Sequence, residues 1–455
     1  MVLEMFKIKG KGIKGLFYNK NAAFYNTVWL LSERVLTILF TFTVGVVLAR
    51  YLGPNDFGIY SYLISILSLL TPLTALGLNA VVVRNLVDVQ KENEEQTNII
   101  LGTSCVLRFF GGLLACVLLL LIDLKFDISQ HNTIWLILLA TANIFSCFQV
   151  VDFWLQAQIN SKYSAILRLT IFITSSLIKV FCIVFFSGGL KLVLIIQTIE
   201  VLASGLLYVP LFRYLKGNIF RWSYKKQKAK DLMSKSWWLI LSGVAEILYL
   251  KIDQIMLGMI NGYSTVATYA VAARLSEAWY FFPTIVTASF FPLLIKAKSE
   301  NEKKYKDDLL NLSRKLFLCA LLISVTVTII SKPFIELIYG KEYSESATIL
   351  IIHIWASLFV FMRAVLSKWL VIENMLPFSL VTHISGAIVN IILNFILIPK
   401  FGGVGSAIAT VISYSISSYF SLFLFKRTRE MGWIMTKAIF TCFMVFRGKN
   451  EKTNN

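Results

Sequence analysis

The sequence is poor in charged residues, in histidine and in paired cysteines. Only 15% of its 455 residues are charged, whereas soluble domains have about 25%, and 57% are hydrophobic. This composition excludes a soluble globular protein. The three histidines are scattered and the six cysteines form no CxxC pair, which argues against a zinc site, a disulfide framework and any bound cofactor. The lack of a GxxxxGK(S/T) element argues against a built-in ATPase.

Long apolar stretches dominate what is present, and the mean hydropathy is +0.72. A helix rises about 1.5 Å per residue, so about 20 apolar residues cross a hydrocarbon core of about 30 Å. We therefore predict an all-α polytopic membrane protein with twelve transmembrane helices in two six-helix bundles around a central cavity. The predicted spans are 27–49, 57–78, 98–122, 132–154, 165–187, 190–212, 237–258, 266–292, 315–331, 347–369, 376–398 and 404–425.

The formal net charge of +19 has two interpretations. In a soluble protein it would indicate a nucleic-acid partner. Here, most Lys and Arg residues outside the spans fall in alternate loops, as the positive-inside rule requires of cytoplasmic loops. We therefore expect a lipid bilayer and no nucleic acid as partner, with both termini in the cytoplasm.

A long basic loop divides the predicted spans into two groups of six. The predicted units are a basic cytoplasmic N-terminus 1–26, an N-terminal bundle 27–212, a basic cytoplasmic linker 213–236, a C-terminal bundle 237–425 and a basic cytoplasmic tail 426–455. The N-terminal segment is polar, so we do not expect a cleavable signal peptide. In the tail, the stretch 433–446 is short and contains Lys437, which predicts an interfacial position and not a thirteenth crossing.

Charged residues inside the spans are the main functional signal. Each costs roughly 2.5–3.5 kcal/mol near the midplane unless it faces protein, water or a partner. The spans 237–258 and 266–292 contain the densest group, so we predict that these two helices line a polar pathway. Their depths allow an ion pair between Asp253 and Arg274. A static pair that only joins two helices is the alternative.

The predicted site combines cations with carboxylates from both halves. A cationic cavity attracts anions, and lone buried carboxylates can carry protons. The predicted substrate-binding residues are Arg34, Arg108, Lys179, Lys251, Arg274 and Arg363. The predicted ion-coupling residues are Glu200, Glu246, Asp253 and Glu277. We predict no catalytic and no metal-binding residue, and thus a transporter of an anionic substrate that uses an ion gradient.

Several segments resemble those of a known family. Residues 48–62 (LARYLGPNDFGIYSY) resemble the first-loop signature of polysaccharide exporters and O-antigen flippases, and residues 152–163 (DFWLQAQINSKY) are similar to the segment after their fourth span. Residues 252–258, 267–292 and 401–410 resemble their second-half counterparts. The chain thus resembles the Wzx-type repeat-unit flippases of the multidrug/oligosaccharidyl-lipid/polysaccharide exporter superfamily.

This resemblance implies a two-bundle fold that alternates between inward-open and outward-open states and has no enzymatic activity. It implies that undecaprenyl-diphosphate-linked oligosaccharide repeat units move from the cytoplasmic to the periplasmic leaflet of a bacterial inner membrane. It also implies a polysaccharide polymerase and a chain-length regulator as partners. Neither the cations that contact the diphosphate nor the coupling ion, proton or sodium, follows from the motifs.

Two alternatives remain open. An ion-coupled multidrug exporter of the same fold usually carries cations, which would favour an acidic cavity over this mixed, slightly basic one. A polysaccharide polymerase or ligase with many spans needs a substantial periplasmic loop, whereas the longest predicted outer loop covers only about residues 332–346.

Overall fold

A computed structural model describes residues 20–89, 94–129, 132–186 and 188–443. Within these ranges nearly every residue belongs to a helix and no strand occurs. This agrees with the predicted all-α fold. Residues 1–19 of the predicted N-terminal segment and residues 444–455 of the predicted tail lie outside the described residues.

The described residues of the N-terminal half form eight α-helices. They are α1 (Lys20–Ala75), α2 (Leu78–Val89), α3 (Glu94–Phe126), α4 (Thr133–Ile144), α5 (Val150–Ala157), α6 (Lys162–Phe186), α7 (Leu190–Leu206) and α8 (Tyr208–Tyr214). A short 3-10 turn at Phe145–Gln149 lies between α4 and α5, and another at Ile219–Arg221 lies within the predicted linker.

The C-terminal half forms eight more α-helices within the ranges given above. They are α9 (Lys226–Asn261), α10 (Tyr263–Glu277), α11 (Phe281–Glu300), α12 (Glu302–Ile338), α13 (Ser344–His353), α14 (Ala356–Ile372), α15 (Leu376–Ser418) and α16 (Arg429–Phe440). Further 3-10 turns lie at Lys341–Tyr343 and Phe420–Phe423.

Eight helical stretches of the described residues are long and apolar enough to cross a membrane, or nine if the bent pair Lys341–His353 and Ala356–Ile372 forms one span. The chain is therefore a multi-pass membrane protein. Both α1 and α15 contain two predicted spans, and they turn at Gly53 (φ 73°) and Gly402 (φ 52°), where glycine adopts a positive φ at little cost. The α9 helix, with three charges in its predicted span, is not among the eight. The number twelve stays a prediction.

The largest apolar core joins the two predicted halves. Phe57, Tyr62 and Leu63 of α1 are fully buried together with Leu257 of α9 and Val266 of α10. Smaller cores lie among α2, α3, α5 and α8 on one side and among α11, α12, α14 and α16 on the other. The two halves thus pack on each other along α1, α9 and α10, while the division into two six-helix bundles stays a prediction.

The last helix, α16, has 12 residues and is too short to cross a membrane. It packs on α12 and buries Met431, Met435 and Ala438, whereas Trp433 and Phe440 are 64% and 81% exposed. An apolar exposed face beside a buried one is compatible with the predicted interfacial position, which stays a prediction.

We expect Gly58→Ala to destabilise the contact between α1 and α10. A Cβ atom at this position would lie 1.9 Å from the carbonyl oxygen of Tyr263, so the two helices must separate. Overpacking of this kind costs about 1–3 kcal/mol, which should lower the Tm of the detergent-purified protein. Gly189→Ala is the matched control because no atom lies within 4 Å of its added Cβ. An equal Tm for both variants would contradict the close approach.

Candidate functional site

A cavity of about 390 Å³ lies between the two halves of the chain. Its walls come from both parts of α1, from α6 and α7, and from α9 and α10. Its ionisable lining residues, tyrosine aside, are Lys179, Glu200, Lys251, Arg274 and Glu277. We call this space the central cavity. The structure therefore brings together five of the ten residues that the sequence predicts to be functional.

The wall on the N-terminal half contains a tight, nearly buried ion pair. The Lys179 Nζ atom lies 2.6 Å from Glu200 Oε2 and 2.7 Å from Gln197 Oε1. Ser175 Oγ donates to the same Glu200 oxygen at 2.6 Å. Gln197 and Glu200 are three residues apart and share one face of α7. Because the Lys179 side chain is only 4% exposed, these contacts compensate its charge within the protein.

The wall on the C-terminal half contains a looser ion pair. Lys251 Nζ lies 3.4 Å from Glu277 Oε2, and the two side chains are 25% and 28% exposed. A long, partly exposed pair contributes little net stability because solvent competes for both charges. An anionic ligand can therefore replace Glu277 beside Lys251 at low cost.

Arg274 is the cavity cation without a carboxylate partner among the described residues. Its guanidinium stacks over the ring of Phe57 at 5.0 Å. A Cβ atom on Gly45 would lie 2.9 Å from Arg274 Nη1, so the glycine leaves room for this side chain. The Asp253–Arg274 ion pair that the helix depths allowed does not form, because the Asp253 carboxylate bonds to α10 and α15 instead.

Asp253 lies in a separate, closed polar cluster. The side chain is 2% exposed, and Tyr269 Oη and Thr410 Oγ1 each donate to Oδ2 at 2.6 Å. Asn394 Nδ2 donates to Oδ1 at 2.5 Å and to the Oδ1 of Asn390 at 3.0 Å. The Oδ1 atom of Asn394 is buried and accepts no hydrogen bond from the residues that the structure describes. The cluster thus combines the carboxylate of α9 with neutral oxygen atoms of α10 and α15.

The other four predicted residues lie outside the central cavity lining. Arg108 is buried against Gln149, with Oε1 at 3.2 Å. Arg363 donates to Thr382 Oγ1 at 2.7 Å and to neighbouring oxygens of α15. Arg34 is exposed on α1, and Glu246 is exposed on α9. Charge and depth alone selected these residues, and neither property gives the direction in which a side chain points.

Uncharged polar residues of the cavity wall were missed by the sequence analysis. Tyr60 Oη donates to Gln197 Oε1 at 2.8 Å, and Ser65 Oγ donates to Gln254 Oε1 at 2.6 Å. The second bond crosses from α1 to α9 and links the two halves. A glutamine inside an apolar span, three positions from a glutamate, was the available signal for Gln197.

The two halves are also tied at the end that the sequence predicts to be outer. Tyr343 Oη donates to the carbonyl oxygen of Ala49 at 2.8 Å, and Arg50 Nη2 donates to that of Leu337 at 2.7 Å. Asn132 Nδ2 donates to Tyr263 Oη at 3.0 Å. These bonds, together with the Gly58–Tyr263 approach, close the cavity at this end.

Comparison with known proteins agrees with this architecture. The sequence matches the family described as polysaccharide biosynthesis protein over residues 24–298, and the family described as MatE over residues 239–396. Two solved structures share the fold: an inward-facing multidrug resistance MATE family transporter of the MOP superfamily, and the lipid II flippase MurJ in an inward closed conformation. The TM-scores are 0.71 and 0.67, at 13% and 15% identity, and the alignments cover 90% and 93% of this chain and 99% and 93% of the respective structures.

Curated relatives carry related names. A probable low-salt glycan biosynthesis flippase of Haloferax volcanii, Agl15, is 22% identical, and the match spans about half of each chain (48%). The capsular polysaccharide biosynthesis protein CapF of Staphylococcus aureus is 22% identical over 88% of this chain and 99% of its own. A Shigella flexneri protein whose name describes an O-antigen transporter is 24% identical over 88% and 97%. These names confirm the predicted resemblance to polysaccharide exporters and flippases.

We expect Lys179→Met and Glu200→Gln each to destabilise the protein more than the double variant does. Removal of one partner from a buried ion pair leaves an uncompensated charge and costs about 3–5 kcal/mol, whereas removal of both leaves none. Thermal unfolding of the four purified proteins in detergent measures this coupling. Additive losses in the double variant would show that the two side chains do not compensate each other.

Proposed function

We propose that this chain, which belongs to the polysaccharide biosynthesis protein family, is a flippase for lipid-linked oligosaccharides. It moves repeat units of an O-antigen or related surface polysaccharide, carried on undecaprenyl diphosphate, from the cytoplasmic to the periplasmic leaflet of a bacterial inner membrane. The observation that carries the proposal is the central cavity between the halves, which presents an arginine that has no carboxylate partner among the described residues. A polymerase and a chain-length regulator as recipients of the product stay predictions.

The charge of the central cavity suits a diphosphate. The cavity contains three cations and two carboxylates, so it has a net charge of +1 when all five are ionised. These residues are Lys179, Lys251 and Arg274, and Glu200 and Glu277. The planar guanidinium of Arg274 can bind two phosphate oxygens side by side. The looser Lys251–Glu277 pair can open to add an ammonium group. A cavity of about 390 Å³ has the size of a small-ligand site, so it suits the diphosphate and the sugar next to it better than a whole repeat unit.

A flippase must open the contacts between the halves at the predicted outer end to release its substrate there. Passage to the other leaflet requires that the Tyr343–Ala49 and Arg50–Leu337 hydrogen bonds break while the halves separate. The neutral Tyr343–Ala49 bond contributes about 0.5–1.5 kcal/mol and the bond from the charged Arg50 about 1.5–3 kcal/mol, so differential binding of substrate and ion can shift this equilibrium.

The coupling ion binds at Asp253 in this proposal. One carboxylate among neutral oxygens balances one positive charge, and oxygen ligands suit hard cations. In this structure the hydroxyl groups of Tyr269 and Thr410 donate hydrogen bonds to the carboxylate. When a cation binds, both hydroxyl oxygens and the unbonded Oδ1 atom of Asn394 can coordinate it through their lone pairs. This arrangement favours sodium over a proton, which needs no such oxygen cage.

A multidrug exporter is the second candidate, favoured by the MatE match over residues 239–396. A cationic drug would need a net acidic cavity, whereas the described cavity residues have a cationic excess. The charge balance therefore favours the anionic lipid-linked substrate.

We expect Arg274→Ala to abolish surface glycan in a flippase-deficient strain and to cause lipid-linked repeat units to accumulate in the inner leaflet. The substitution removes the cavity cation that has no carboxylate partner in the part of the chain that the structure describes. Arg274→Lys should recover only part of the transport, because an ammonium group cannot form the bidentate contact. Extraction and quantification of lipid-linked repeat units, normalised to membrane protein, measure the effect.

Arg34→Ala is the control for this experiment, since Arg34 is exposed and does not line the cavity. It should transport like the wild type. A normal amount of surface glycan in cells with Arg274→Ala would show that Arg274 is not part of the substrate-binding site. Full recovery of transport by Arg274→Lys would indicate that Arg274 only holds helices together.

We expect sodium chloride, compared with potassium chloride at equal ionic strength, to raise the Tm of the wild type and not that of Asp253→Asn. A ligand that binds only the folded protein stabilises it by about 2.7 kcal/mol at a hundredfold excess over Kd. Asp307→Asn, an exposed carboxylate on α12, should keep the sodium response. The same Tm in both salts for the wild type would exclude a sodium site at Asp253.

A further inference from the structure

A second cavity, of about 570 Å³, lies between α6 and the α7–α8 segment on the outside of the N-terminal half. We call it the α6–α7 groove. Its lining is mostly aliphatic, and Ile178, Ile199 and Leu207 are 45%, 57% and 41% exposed. Exposed aliphatic side chains on spanning helices face lipid, so this groove is open to the membrane and not to the central cavity.

One carboxylate belongs to both spaces. Glu200 lines the α6–α7 groove and also the central cavity. Its neighbours divide between the two sides, since Ser175 lines the groove whereas Ser176 and Lys179 line the cavity. The Lys179–Glu200 pair is therefore the partition between an apolar, membrane-facing space and a polar one.

The groove covers about one leaflet. Its α6 lining runs from Leu167 to Ile178, a rise of about 16 Å, close to half of a hydrocarbon core of about 30 Å. Leu211 and Tyr214 line it at the end of α8, beside the predicted cytoplasmic linker. Glu200 lies at the other end of the groove, near the predicted midplane.

We propose that the α6–α7 groove holds the polyprenyl tail of the substrate next to its diphosphate, while the diphosphate in the central cavity shares Lys179 with Glu200. This inference rests on the proposed flippase function and adds the path of the tail and the role of the pair. One lipid then occupies both spaces, with its chain on the apolar side of the partition and its anionic group on the cationic side.

The depth of the ion pair favours this lipid over a bulk phospholipid. A phospholipid that keeps its headgroup at the surface meets only the aliphatic lining and gains nothing from Lys179. A lipid whose diphosphate is drawn to the midplane needs a cation there and a nearby apolar path for its chain. The groove and the pair supply both within one helix turn of each other.

A photo-crosslinking experiment tests the occupant directly. A benzophenone amino acid replaces Thr174, which lines the groove, or Leu177, which is 58% exposed on the same helix outside it. The purified proteins are placed in vesicles of phosphatidylethanolamine and phosphatidylglycerol that contain radiolabelled undecaprenyl diphosphate. We expect label at position 174 about tenfold above position 177, and loss of that label on addition of unlabelled undecaprenyl diphosphate. Equal labelling at both positions, or label that the unlabelled lipid does not displace, overturns the proposal.

A transport experiment separates this proposal from the proposed function. Thr174→Trp fills the groove, and Leu177→Trp adds the same bulk to exposed membrane surface. We expect transport of lipid-linked repeat units by Thr174→Trp to fall about tenfold, a loss that corresponds to about 1.4 kcal/mol, with Leu177→Trp unchanged and both Tm values kept. Normal transport by a folded Thr174→Trp variant overturns the proposed role of the groove but does not contradict the proposed flippase function. Failure of the wild type to transport refutes the flippase function, while the crosslinks still decide whether the groove binds the polyprenyl lipid.

Discussion

Every charged side chain inside a membrane needs a partner, and this requirement determines how these helices pack. Lys179 and Glu200 satisfy each other at 2.6 Å, and Arg168 holds Glu33 through two contacts of 2.6 and 2.8 Å. Each pair joins separate helices, so the same contacts that neutralise charge also set helix positions. Arg108 and Arg363 have neutral hydrogen-bond acceptors instead of carboxylates. Arg274 departs from this rule, because among the described residues it has neither a carboxylate nor a hydrogen-bond partner and is accommodated by an aromatic ring and a glycine. The exception identifies the place where a charge is kept available for a ligand.

The two halves contribute different parts to the proposed cycle. The N-terminal half supplies the tight Lys179–Glu200 pair and the apolar groove behind it. The C-terminal half supplies the looser pair, Arg274 and the Asp253 cluster. Lys251 and Asp253 are two residues apart on α9, so a cation bound at Asp253 acts on the helix that also lines the cavity. The proposed coupling thus needs no long path, only a small shift of α9 and α10 against α1.

Much of the membrane architecture followed from apolar runs and loop charges, because both signals are local. The charged residues of spans 237–258 and 266–292 were recognised by their desolvation cost, and three of the five line the cavity. Asp253 was also recognised, but its partner was misassigned, because depth along a helix does not give the rotation of the neighbouring helix. Gln197 and Gln254 were missed because an uncharged amide in an apolar span gives a weak signal.

The sequence by itself determined that this is a multi-pass helical membrane protein with ionisable groups inside it, and its motifs determined the family. These properties depend on hydrophobicity and residue order, which can be read directly from the amino-acid sequence. Only the tertiary structure decided which charges share a cavity, that Asp253 faces α15 instead of Arg274, and that Glu200 borders two spaces. Those facts depend on side chains more than a hundred residues apart or on the packing of neighbouring helices, and such distances exist only after folding.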